Sequence, residues 1–159
     1  MKLKEWLDEW SMTSLKIKTA FLEMDWRPND VDKDAAWELY IELLTRITTQ
    51  SLPVEHGDEE AALQSVHKIF DLTRDVIKRK GRHSINFTKI AVVVLNQVIR
   101  PFTSKWHKYS LQGAFENQEQ CAQFRRELGE LQVVLCKYTR MLSDMADVED
   151  LTELEGSDE

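Results

Sequence analysis

The chain's 159 residues, 42% hydrophobic and 31% charged, suit one soluble domain around a single core. Five glycines and three prolines leave too few turn formers for a β-rich fold. The longest uncharged apolar run, between Lys89 and Arg100, is too short to span a bilayer. Glu5, Asp8 and Glu9 break any signal-peptide core, so the expected setting is cytoplasmic, with no membrane partner.

The net charge of -7 is uneven: eight of the 28 acidic residues lie from Met141 onward, where no Lys or Arg occurs. The rest carries 20 acidic against 21 basic residues, so the body is near neutral and the ending is acidic. Cys121 and Cys136 fall fifteen positions apart in one predicted helix. That spacing separates them by roughly 22 Å, too far for a mutual disulfide, in keeping with a reducing compartment.

In chain order, Lys2 to Met12 can form a short helix with Leu3, Trp6, Leu7 and Trp10 on one side. Leu15, Ile17, Thr19 and Phe21 then alternate with Lys16, Lys18 and Ala20 in a strand-like way. A lone strand has no partner here, so this stretch pairs with another molecule, packs as an extended arm, or is helical. Pro28-Asn29-Asp30 makes a loop, and Asp30 or Asp32 caps a helix reaching about Gln50. Its apolar stripe is expected at Trp37, Tyr40, Ile41, Leu44 and Ile47, widened by Leu39 and Leu43. After a connection at Pro53 to Gly57, Asp58 caps a helix bearing Leu63, Val66, Ile69, Phe70, Thr73 and Ile77, with Gly81 placed for its left-handed end.

Ser84 or Asn86 starts a central helix, apolar nearly all round from Ile90 to Leu95 and therefore expected to be buried. Pro101 should kink or end it, since the ring removes a donor and crowds the carbonyl of Gln97. The last helix carries a heptad seam: Cys121, Phe124, Leu128, Leu131, Leu135, Tyr138, Leu142 and Met145. The pattern predicts an all-α protein: an antiparallel four-helix bundle over residues 29–147, a helix or strand-like arm over 1–28, and an acidic tail over 148–159.

Four groups of residues carry candidate chemistry. Arg100 and His107, with six residues between them, stand beside Lys105 and Trp106, pairing a fixed cation with an imidazole, a group whose ordinary titration lies near neutrality. Their simpler role is structural, with Arg100 capping helix carbonyls and Trp106 and His107 packing at the bundle end. Glu38, Glu42 and Arg46 are spaced by four, either as solvated neighbours or as a polar network facing Arg100. Arg74, Lys78, Arg79, Lys80, Arg82 and His83 could touch nucleic-acid phosphates, or simply serve the dipole of a helix end. His56, His67, His83 and His107 lie on separate segments without a Glu-x-x-His pair, so no metal site is expected. No cofactor loop, Ser-centred elbow or nucleophilic Cys context is present.

The segment Arg-Pro-Phe-Thr-Ser-Lys-Trp-His at 100–107 resembles the Arg-x(4–6)-His motif of the HEPN superfamily, helical bundles that include metal-independent ribonucleases. That resemblance implies a catalytic Arg100 and His107, the histidine acting on the ribose 2′-hydroxyl and the arginine on the phosphate, with RNA as substrate. Pro101 directly after the arginine departs from the motif. The strings AAWELYIELLTR (35–46), RPFTSKWH (100–107) and VEDLT (148–152) together resemble a group of bacterial helical proteins associated with anti-phage defence loci. This second resemblance implies a setting and no activity. The function expected is therefore a helical protein-interaction module, an accessory or regulatory subunit with a protein partner or a second copy. A HEPN-like ribonuclease is the alternative.

Overall fold

The computed structural model describes residues 1–46 and 58–154, and every regular element among them is helical. Helix α1 (Leu3–Glu9) buries Leu3, Trp6 and Leu7. Trp6 stacks on Trp26 with centroids 4.6 Å apart and donates its indole N–H to Asp144 at 2.6 Å. These contacts tie the N-terminus to the far end of the chain.

The strand-like stretch is not a strand. It holds one helical turn, α2 (Thr19–Leu22), and a single antiparallel bridge between Lys2 and Asp25. With no strand beside it, its backbone groups turn to side chains. The Lys16 N–H donates to Gln97 Oε1 and Gln97 Nε2 donates back to the Lys16 carbonyl, both at 2.8 Å. One amide side chain thus does the work of a ladder rung and holds the arm against the body.

Helix α3 (Asp30–Leu44) is capped by Asn29 and not by Asp30 or Asp32. Asp32 closes a capping box instead: its N–H donates to Asn29 Oδ1, and its carboxylate accepts from the Asn29 N–H, both at 2.9 Å. The same fully buried carboxylate accepts from Asn86 Nδ2 and the Phe87 N–H, at 3.0 Å each. The buried face of α3 differs from the expected stripe: Ala35, Ala36, Leu39, Tyr40 and Leu43 face inward, while Trp37 and Ile41 are exposed. Two adjacent alanines let a neighbouring helix approach closely, and the larger side chains are left on the flank. The expected extension through Ile47 to Gln50 and the connection at 53–57 lie outside the described residues.

Helix α4 (Glu59–Lys80) starts at Asp58, whose carboxylate accepts from the Ala61 N–H at 3.2 Å. Gly81 ends it with φ 76° and ψ -168°, a positive φ that suits glycine, although this ψ is not that of a left-handed helical turn. A 3₁₀ turn at Arg82–Ser84 leads into α5 (Ile85–Val94). That helix is buried on one side only, through Phe87, Ile90, Ala91 and Val94; Ile85 and Val92 are exposed, against the expectation of burial all round.

Pro101 does not end the helical run. Leu95–Ile99 forms one π turn, in which the Arg100 N–H reaches the Leu95 carbonyl, and α6 (Arg100–Leu111) continues from it. The extra residue in that wide turn accommodates the ring and the missing donor, so the irregularity is a bulge before the proline.

Helix α7 (Gln118–Ala146) begins with Asn117, whose side chain accepts from the N–H groups of Glu119 and Gln120. The predicted seam is buried from Phe124 to Met145, and Cys121 at its start is half-buried. Helix α3 packs along α7 and α4, and α6 packs against α4 and α7, an arrangement compatible with a bundle. Past α7 the chain folds back. The Leu151 N–H donates to the Tyr40 hydroxyl at 2.6 Å, Arg140 Nε donates to Thr152 at 3.1 Å, and Arg140 also pairs with Asp150 and Glu153. No described helix is long and apolar enough to cross a membrane.

Candidate functional site

The inward face of α3 fixes where its other residues go. Trp37 and Ile41, one turn apart, stand 43% and 36% exposed, although large apolar side chains normally find cover. Across from them α4 contributes Leu72 and Val76, and between the two helices runs a groove of about 640 Å³. Its rim is charged: Glu38 and Glu42 on one side, Asp75, Lys78 and Arg79 on the other. Glu38 joins the helices, accepting from Arg79 at 2.7 Å and pairing with Lys80 at 3.1 Å. The Arg79 hydrogen bond, with help from Lys80 and against partial burial, holds the Glu38 carboxyl below its usual range. Glu42 pairs with Arg46 at 3.2 Å. The Trp37 ring leans on Tyr40, centroids 6.0 Å apart, so the indole is steadied from below. An apolar strip inside a ring of mixed charge suits a protein surface better than a small polar substrate.

The remaining candidates do not gather into one place. Among the described residues, Glu38 is joined to Arg79 and Lys80 and Glu42 to Arg46, with no described bond from these carboxylates to Arg100. That guanidinium lies 4.9 Å over the Phe70 ring, and its Nε donates to Asn96 Oδ1 at 3.2 Å. Arg100 therefore makes a side-chain contact within its own helical run instead of capping carbonyls. His107 is exposed on the same helix. Seven positions bring it within about 20° of the Arg100 direction and roughly 10.5 Å along the axis, so the two share an exposed stripe.

Trp106 faces inward, and the neighbouring Lys105 is partly exposed. Lys105 Nζ donates to Glu127 Oε1 at 2.6 Å. Trp106 is fully buried, edge-on to Phe124 at 5.2 Å and stacked near Phe115 at 6.1 Å, so it anchors the core where α6 meets α7. No partner molecule can reach it in this conformation.

Among the described residues no group of three His, Cys, Asp or Glu side chains is placed to hold a metal ion. His56 lies outside them. Within the basic stretch, Arg74 pairs with Asp71 at 3.5 Å, and Arg79 and Lys80 are taken up by Glu38. Of the groove residues on α3, Glu38 and Glu42 were candidates from their spacing, whereas Trp37 and Ile41 were assigned to the buried stripe and stand exposed. The signal that finds them is Ala35-Ala36, a small pair that is fully buried and so puts Trp37 and Ile41 at the edge of the inward face. Comparison of the chain with family models, curated proteins and solved structures gives no match.

Proposed function

We propose that this chain is a helical protein-interaction module, an accessory or regulatory subunit, whose groove between α3 and α4 receives an amphipathic helix from a protein partner. The observation that carries the reading is the exposure of Trp37 and Ile41 over the floor of Leu72 and Val76. Such a pair gives the groove an exposed apolar wall one helical turn long, against which the apolar face of a guest helix can lie, and tryptophan is among the residues that most often dominate an interface. The charged rim supplies register and excludes wrong partners more than it adds affinity. A cytoplasmic setting fits the free thiols Cys121 and Cys136, and the place in a bacterial defence system rests on sequence resemblance alone.

The test is affinity purification from the native cell with wild type and Ile41→Glu, followed by mass spectrometry. Loss of one stoichiometric protein from the variant, with its helical spectrum unchanged, supports the reading. Identical co-purifying proteins from both refute it.

A HEPN-type ribonuclease is the second reading, favoured by the shared exposed stripe of Arg100 and His107. Arg74 shares the Phe70 ring with Arg100, 5.9 Å from its centroid, and is paired with Asp71, while no described hydrogen bond joins Arg100 to His107; a second copy across the stripe would complete such a site. Equal RNA digestion by wild type and His107→Ala would remove it.

A further inference from the structure

A second groove, of about 280 Å³, lies between the N-terminal arm and α5. Leu3, Ile17 and Phe21 form one wall and Ile90, Val92 and Val93 the other. Thr88 also lines it, but its hydroxyl is spent on the Ser84 carbonyl at 2.8 Å. The one charged residue lining it is Lys89.

The surroundings of Lys89, a half-buried residue, are unusual for a cation. Its described partners are the Met24 sulfur at 3.6 Å and the face of the Phe21 ring, 5.4 Å from the centroid, neither of which carries charge. The nearby carboxylates are engaged elsewhere: Glu23 with Lys2 at 2.7 Å, and Asp25 with Arg27 at 3.7 Å. On its own helix no acidic residue can reach it, because the sequence holds no Asp or Glu from Val76 to Phe115. Phe21 and Val92, which flank the opening, are 44% and 41% exposed. An apolar trough with one uncompensated cation is complementary to a molecule with an apolar body and one anionic head.

The geometry points to a binding site for a small amphiphilic carboxylate, its chain along Ile17, Phe21, Val92 and Val93 and its carboxylate on Lys89. The volume is at the low end for ligand pockets, which selects a short chain over a long-chain lipid. The ligand comes from solution and not from a bilayer, since the trough is walled on both sides by the fold. This site is separate from the α3–α4 groove and stands or falls independently of it.

Calorimetric titration of the full chain with octanoate, octanol and octylamine tests the assignment. Saturable binding is expected for octanoate, about fivefold tighter than octanol as for one partly exposed ion pair, with octylamine weakest. Lys89→Met keeps the aliphatic stem and should bring octanoate to the level of octanol. Val92→Glu should abolish binding of both, with an unchanged far-UV spectrum. Absence of saturable octanoate binding overturns the proposal, as does a preference for the acid that survives Lys89→Met. So does binding confined to lipid vesicles. A wild-type dimer that Val92→Glu dissociates would make a second copy the occupant and overturn it as well.

Discussion

Replacing Asp32 with alanine should destabilise the protein by about 3 kcal/mol, for reasons that can be itemised from its contacts. The carboxylate accepts three hydrogen bonds, from the Asn29 N–H, Asn86 Nδ2 and the Phe87 N–H, and is itself fully buried. Losing half of the capping box costs about 1 kcal/mol. The Phe87 N–H lies in a buried contact at the start of α5, and leaving it without an acceptor adds about 1–3 kcal/mol. Urea unfolding followed at 222 nm should show a lower midpoint at constant slope, and the melting temperature should fall by about 6–12 °C for a chain of this size. Asp32→Asn keeps one acceptor oxygen and should fall between the two. Asp34→Ala, exposed on the same helix, should stay within about 0.5 kcal/mol of wild type. An Asp32→Ala midpoint indistinguishable from that of Asp34→Ala would refute the claim that this carboxylate joins α3 to α5.

Gln97→Ala removes both bonds to Lys16 at an exposed site, so global stability should drop by only about 1 kcal/mol, while hydrogen exchange at the Lys16 amide rises markedly. Leu135→Ala, at a fully buried seam position of α7, should cost about 2–5 kcal/mol in chemical denaturation. Trp106→Phe should cost less than a typical deletion at such a site, about 2 kcal/mol or under, because the buried indole N–H it removes has no partner. The Glu38 carboxyl titrates below its ordinary 4.5 in the folded chain, so its contribution is present above that value and is lost as pH falls through the lower folded one. Glu38→Gln should therefore flatten the acid limb of the stability profile in that window and leave the slope above pH 4.5 unchanged.

The α7 seam was legible because each spacing of three or four maps directly onto one buried face, and a long helix repeats the signal. The all-helical class followed from the same periodicity in the other segments. The face of α3 was not legible by hydrophobicity, which weighs Trp37 and Ile41 above Ala35 and Ala36. Packing of helices against α3 favours the small pair on the inward side, and only the folded structure shows that both are buried. Pro101 marked the irregularity correctly but not its form, since a π turn and a kink make the same demand on sequence. The role of Asp32 depends on Asn86 and Phe87, more than fifty positions away, and local pattern carries no trace of such a pairing. Lys105 and Trp106 were candidate binding residues beside Arg100 and His107, with packing of Trp106 at the bundle end as the simpler role, and its burial matches that simpler role. On the helix, the indole points into the aromatic core and the ammonium reaches Glu127.

The proposal that the α3–α4 groove receives a protein is met most directly by a photo-crosslinking amino acid placed at position 41 and, as control, at exposed position 126 of α7. Irradiation in the native cell should give one discrete heavier adduct from position 41 and none from position 126, with the crosslinked peptide reading as an amphipathic helix. No adduct at position 41, or the same ladder from both positions, would contradict an interaction groove between α3 and α4.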